Sequence, residues 1–251
     1  MKLAGRCEYL YIVVDDRTHV VYTWLMRLKL EAPEAFSAFK AAVEIESGAK
    51  ICKVMTDNVH KLSMGVMQEI CEKEGIQLNT TVPYHPASNG IVEWAIGVLT
   101  SAVRAMLHNS SLPQYLWAEV YNTATYVHNR TPTRALGGVT PYEAHYRVKP
   151  KVEHLRAFGA PCASVEPQHN LKKLDDRASM CFFMGYKYGG GGYWVWDPKR
   201  QVIIKLRDIV FFETGLPSPT LRALNKLADD ADIHEQQPLE PTTEPAASAP
   251  A

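Results

Sequence analysis

Two carboxylates stand in contexts that suit metal chemistry. Asp57 lies in Met55-Thr56-Asp57-Asn58, directly after the apolar run Ile51 to Val54, and Glu93 lies in Asn89-Gly90-Ile91-Val92-Glu93 at the start of a long helical pattern. Thirty-five residues, 58 to 92, separate them. A strand-end Asp and a helix-borne Glu can converge on a divalent cation, and two such ions drive in-line displacement at phosphorus. Taken singly, Asp57 reads as a turn residue and Glu93 as a first-turn Glu that complements the helix dipole. Spacing by itself is a weak signal, because acidic pairs are common at any one separation.

The elements that must position these residues are legible in the pattern. Tyr9 to Val14 is rich in Tyr, Ile and Val, Asp15-Asp16-Arg17-Thr18 suits a turn, and Val20 to Leu28 resumes with β-branched and aromatic residues, so a hairpin is predicted. Pro33 opens a helix to about Ser47, with Phe36, Phe39, Val43 and Ile45 near helical spacing and Gly48 as its stop. Ile51 to Met55 is predicted as a short buried strand ending at Asp57, Ser63 to Glu74 as a helix closed by Gly75, and Leu78 to Val82 as a strand. From Ala87 to about Asn109, Ile91, Ala95, Val98, Leu99, Ala102 and Met106 recur at helical period, with Ser88 or Asn89 as cap. Gly97 inside this helix costs about 1 kcal/mol against Ala. Helices over Pro113 to Asn129 and Pro141 to Tyr146 complete an α/β unit.

The texture changes after residue 148. Short β-rich runs follow at Ala163 to Val165, Ser179 to Met184, Tyr193 to Trp196, Val202 to Lys205 and Ile209 to Phe212, with turn signals at Gly189 to Gly192 and Asp197-Pro198. Several short strands at close spacing predict a small barrel. The quadruple glycine lacks the Lys-Ser/Thr and following helix of a phosphate loop, so it reads as a turn. Residues 214–251 are rich in Pro, Ala, Glu and Thr and predict a disordered tail.

Flanking residues give the carboxylate pair a family. Thr56-Asp57-Asn58, Pro83-Tyr84-His85-Pro86 with Asn89-Gly90-Ile91-Val92-Glu93, and Trp117-Ala118-Glu119 resemble motifs of copia-type retrotransposon integrases. Asn129-Arg130-Thr131-Pro132-Thr133, Thr140-Pro141-Tyr142-Glu143 and Leu155-Arg156-Ala157-Phe158-Gly159 follow in the family's order, as do Lys173-Leu174-Asp175, Phe183-Met184-Gly185-Tyr186 and Arg207-Asp208-Ile209-Val210-Phe211. The resemblance runs from about residue 9 to about residue 213. It implies an α/β, ribonuclease-H-like mixed sheet with flanking helices over 1–148, with the first strand missing. It implies an SH3-like β-barrel over 149–213. It further implies Asp57 and Glu93 as catalytic metal ligands, Mg²⁺ or Mn²⁺ as cofactor, and DNA strand transfer as the reaction.

Departures from the family shape the expectation. Its first catalytic Asp lies on a strand upstream of Tyr9 to Val14, and the resemblance implies that Met1 falls just after that position. Val59 stands where the family has Gly, Trp94 where Arg is usual, and Ser88 where Gln is usual. These features predict a truncated integrase with two of three metal ligands, impaired in catalysis and weak or lacking in metal binding. Asp15 and Asp16, in a turn, read as structural. A missing central strand predicts unpaired sheet edges. Two other readings stay open: a non-catalytic nucleic-acid-binding protein, and a module that associates with intact integrase.

Charge places the nucleic-acid contacts. Formal net charge is zero, but 214–251 holds two bases against six acids, while 147–207 holds twelve bases against five acids, a net of +7. Phosphate attraction would concentrate there. Lys172, Lys173, Arg177, Lys187, Lys199, Arg200, Lys205 and Arg207 are the contact candidates, each acting through phosphate without reading sequence. His85 and Asn89, beside the expected metal site, are further candidates, set against a rigid loop as their simpler role. Trp94 reads as core or interface, and Trp117, Trp194 and Trp196 as packing residues. The partners expected are element-end and target DNA, RNA, further copies of the chain and full-length integrase.

Composition excludes several classes. Hydrophobic residues at 46% fit a globular chain with a real core. No apolar run approaches the ~20 residues of a membrane span, and no signal segment is present. The five cysteines are scattered and odd in number, so no disulfide framework or paired zinc-ligand signature is predicted, and a nuclear or cytoplasmic, non-secreted location is expected.

Overall fold

The computed structural model describes residues 2–3, 7–56, 61–80, 90–110, 112–165, 178–187, 191–207 and 209–212. Strand β1 (Lys2–Leu3) is followed by the hairpin of β2 (Tyr9–Val14) and β3 (Val21–Met26), paired antiparallel from Tyr9↔Met26 to Val14↔Val21. The loop between them is held by Asp15, whose carboxylate accepts from the Thr18 amide and hydroxyl. Asp15 is therefore a turn-former, as expected of it. Helix α1 (Ala32–Ser47) carries Pro33 in its first turn and ends on Gly48, whose φ of 67° only glycine adopts readily. It buries Phe36 and Phe39, whereas Ile45 is 85% exposed and so falls off the predicted core face.

Strands β4 (Lys53–Thr56) and β5 (Gln77–Thr80) are parallel and joined through α2 (Lys61–Glu74). Such a connection needs a crossover, and a helix supplies it. The expectation of a buried β4 is corrected: Lys53 and Met55 are exposed and Val54 and Thr56 only half-buried. Its outward residues alternate because the strand presents one face to α1 and α2 and leaves the other to solvent.

Helix α3 (Gly90–Ser110) buries Ala95, Leu99 and Val103, while Val98, expected inside, is exposed. By length and apolar composition α3 could cross a membrane, a point the sequence pattern missed. It carries exposed Glu93 and Arg104 and packs a narrow stripe, Ala95, Leu99 and Val103, into the protein. A 3₁₀ turn (Gln114–Leu116) leads into α4 (Trp117–His128), so the single helix expected from Pro113 is two elements. Helix α5 (Pro141–Tyr146) is capped by Thr140, whose hydroxyl accepts from the Glu143 amide.

The remaining strands, β6 (Pro161–Val165), β7 (Ala178–Tyr186), β8 (Tyr193–Asp197), β9 (Val202–Leu206) and β10 (Ile209–Phe211), form one antiparallel sheet. Its order is β1-β9-β8-β7-β6-β10, so the N-terminal strand joins it. One face packs Cys162, Cys181 and Val195 with Tyr193, Ile204, Leu206, Ile209 and Phe211. The other sends Phe182, Met184, Trp196 and Ile203 into a cluster with Leu99 and Val103 of α3 and Val120 and Ala124 of α4. Val21, Ile12 and Val14 of the hairpin reach the same cluster. Helices α3 and α4 thus lie between the hairpin and the six-stranded sheet.

Candidate functional site

The parallel pair fixes the end of β4, the residue before Asp57. Thr56 ends β4 directly opposite Thr80, the end of β5. The chain therefore leaves both strands at their C-terminal edge, the position where open α/β sheets bind ligands. Asp57, like His85 and Asn89, lies outside the described residues. Glu93 sits in the first turn of α3 with an exposed side chain. It has no ion-pair partner among the described residues, and the helix dipole favours negative charge there. Oxygen ligands of this kind fit a hard divalent cation. Among the described residues no three His, Cys, Asp or Glu side chains cluster at metal-binding distance.

The sheet that must carry this edge is divided. Among the described residues β2 pairs only with β3 and β4 only with β5. Yet Tyr11 and Val13 of β2, Val54 of β4 and Leu78 of β5 pack against one cluster formed by Phe36, Phe39, Met67, Cys71 and Ile76. Two sheet fragments thus share one apolar floor while the second edges of β2 and β4 stay without a strand among the described residues. Unpaired edges of this kind are templates for another strand.

Trp94, next to Glu93, is 47% exposed with its ring 5.9 Å from that of His128. It is not a core residue, because α3 turns its buried stripe to Ala95 and Leu99. Trp196 is buried and Trp194 packs beside it, as expected. His128 is nearly buried, and burial, with His19 as a second cause, holds its imidazole below the ordinary value.

The basic candidates divide by position. Lys172, Lys173 and Arg177 lie outside the described residues. Lys199 and Arg200 occupy the turn after β8, where the Asp197 carboxylate accepts from both amides and pairs with the Arg200 guanidinium at 3.7 Å. Lys187, Lys205 and Arg207 come together at the opposite end of β8. Pairing of Tyr186 with Tyr193 and of Tyr193 with Leu206 sets Lys187 and Arg207 on either side of Gly192, with Lys205 two rows back opposite Trp194.

Residues without a role in the sequence pattern also emerge. Asn129 grips Val21 through two hydrogen bonds, accepting from its amide at 2.9 Å and donating to its carbonyl at 2.7 Å. His145 sits between the Thr18 and Tyr22 hydroxyls, each at 3.4 Å. Tyr126 stacks on Tyr186, bonds His154 at 2.7 Å and receives the Arg130 guanidinium on its ring. Only the long-range pairing reveals these contacts; Asn129 had signalled itself as part of a motif.

Comparison with known proteins is consistent with this arrangement. Residues 161–222 match the retroviral polymerase SH3-like domain family. The chain is 31% identical over 210 residues to the retrovirus-related Pol polyprotein from transposon TNT 1-94 of Nicotiana tabacum, covering 84% of this chain and 16% of that protein. It is 28% identical over 232 residues to the Pol polyprotein from transposon RE1 of Arabidopsis thaliana, covering 92% of this chain and 15% of that protein. The chain thus spans about a sixth of the length of these relatives. Solved structures with likeness include the HTLV-2 integrase catalytic core domain in complex with magnesium, at 23% identity and a TM-score of 0.41, covering 54% of this chain and 83% of that one. A simian T-cell lymphotropic virus intasome in complex with a PP2A regulatory subunit gives 17% identity and a TM-score of 0.45, covering 79% of this chain and 69% of that one.

The chain thus joins an α/β unit to a retroviral polymerase SH3-like domain. The chain is a stretch of retrotransposon integrase sequence of the copia type.

Proposed function

We propose that this chain supplies two carboxylates, Asp57 and Glu93, of a metal-dependent DNA strand-transfer site, and that it is silent until a third carboxylate joins them. The division of the sheet carries this reading. A strand paired to the second edges of β2 and β4, which no strand among the described residues covers, would lie over the Phe36–Phe39 floor.

Asp57 and Glu93 would hold Mg²⁺ or Mn²⁺, which when bound activates the attacking hydroxyl and stabilises the leaving oxygen. Their positions differ in what they contribute. Thr56, the residue before Asp57, is held by the β4–β5 register, and the burial of Ala95 and Leu99 sets which face of α3 is covered beside Glu93. His85 and Asn89 would contact the DNA end beside them. DNA is the partner that this chemistry demands, with further integrase copies alongside.

The test is a Mn²⁺-dependent strand-joining and disintegration assay on branched DNA. The chain, a form extended upstream by an Asp-bearing strand, and Glu93→Gln in the extended form are compared. The expected result is activity only in the extended form, lost in Glu93→Gln. Activity of the chain alone would overturn the need for a third carboxylate. Silence of the extended form would overturn the assignment of Asp57 and Glu93.

A further inference from the structure

Lys187, Lys205 and Arg207 come from three separate places in the sequence, yet the sheet gathers them. Gly185 pairs with Trp194 and Trp194 with Lys205; two rows further, the Lys187 amide donates to the Gly192 carbonyl at 3.2 Å, and Arg207 follows Leu206, which pairs with Tyr193. Side chains alternate along a strand, so residues two apart share a face. Lys187, Lys205 and Arg207 therefore project from one face, the face on which Trp194 lies. Gly192 leaves the row between Lys187 and Arg207 without a side chain.

Two features make this a site rather than a solvated edge. The Arg207 Nε donates to the Gly191 carbonyl at 3.1 Å, which anchors the guanidinium. Secondly, no carboxylate forms an ion pair with any of the three among the described residues. The Lys187 ammonium instead lies against that of Lys205, and this contact is the main reason why the Lys205 ammonium gives up its proton more readily than an ordinary lysine. Like charges brought together without a counter-ion repel, and an anion between them turns repulsion into charge-assisted hydrogen bonding.

We infer that Lys187 and Lys205, flanked by Arg207, form a clamp for one backbone phosphate of a nucleic acid at this end of the six-stranded sheet. This deepens the nucleic-acid part of the function proposed above and rests on it, but not on the carboxylate site. The ligand is a phosphodiester, held without reading bases. Lys199 and Arg200 stand outside the clamp. They lie at the far end of β8, about 14 Å away at the rise of an antiparallel strand, and Asp197 already partners Arg200.

The test is the salt dependence of binding, followed by fluorescence anisotropy with labelled duplex DNA and with single-stranded RNA. Each neutralised phosphate contributes about 0.9 to the log–log salt slope on duplex DNA and about 0.7 on a single strand. Lys187→Ala and Lys205→Ala should each lower the slope by about that amount, and the double variant by no more than either, because both cations hold one phosphate. Lys205→Glu, at a fully exposed position, should match Lys205→Ala or exceed it. A variant with both Lys199→Ala and Arg200→Ala should keep the wild-type slope. Losses on both ligands, each of one phosphate's slope, assign the shared backbone, and a loss on one names DNA or RNA. An unchanged slope in the double variant, an equal drop in the Lys199/Arg200 variant, or no salt-dependent binding by the wild type would each overturn the clamp. None of these results bears on the strand-transfer assay, which reads Glu93.

Discussion

The Thr123 hydroxyl of α4 donates to the Met184 carbonyl of β7 at 2.7 Å, inside the apolar layer between helices and six-stranded sheet. The contact is close because the next residue is Gly185: a Cβ there would stand 2.6 Å from the Thr123 Oγ1. Gly185 also has φ of +150°, where a side chain is strained. Thr123→Val keeps the shape but leaves the buried carbonyl unpaired, at about 1–3 kcal/mol. Gly185→Ala adds a clash to the strain and should cost more. Urea denaturation of both variants checks the order; a Gly185→Ala protein as stable as wild type would contradict the contact.

Asn129 acts as a substitute strand edge for Val21. Removing its amide in Asn129→Ala orphans a buried backbone donor and a buried acceptor together. A loss of about 2–4 kcal/mol is expected from the two unsatisfied groups. Hydrogen exchange of the Val21 amide reads the same event locally and should accelerate.

His128 ties stability to pH. Burial lowers its folded-state pKa from the ordinary 6.5, so the unfolded chain takes up the proton more readily than the folded one. Stability is then greatest above about pH 6.5 and falls as the pH drops below it towards the folded value. His154, lowered mainly by burial and then by Arg130, acts in the same direction. Denaturation midpoints measured between pH 7.5 and 5.5 should decline more in wild type than in His128→Gln; parallel curves would remove His128 as the cause.

Gly97 has no structural need in this chain. A Cβ there meets nothing within 4 Å, and the residue lies on the exposed side of α3. Gly97→Ala should stabilise the fold by up to about 1 kcal/mol. For a chain of this size that raises Tm by roughly 2–4 °C. Calorimetry decides it, and a lowered Tm would show that the glycine serves a packing role.

The sequence alone determined the elements and the family. The hairpin, the stop of α1 at Gly48, the short α5 and the strands after residue 160 all follow from local rules: alternation, helical period, a left-handed glycine. Asp57 and Glu93 were visible because their flanks form short contiguous motifs. What only tertiary structure decided are relationships between distant residues. Periodicity could not tell that Ile45 and Val98 face water, because which side of a helix is covered depends on its neighbours. It could not pair Asn129 with Val21, 108 positions away. Nor could a list of eight basic residues show that Lys187, Lys205 and Arg207 share one face while Arg200 is claimed by Asp197. Strand register and the β7 bulge set that grouping, and register is fixed by packing across the whole sheet rather than by the identity of any one residue.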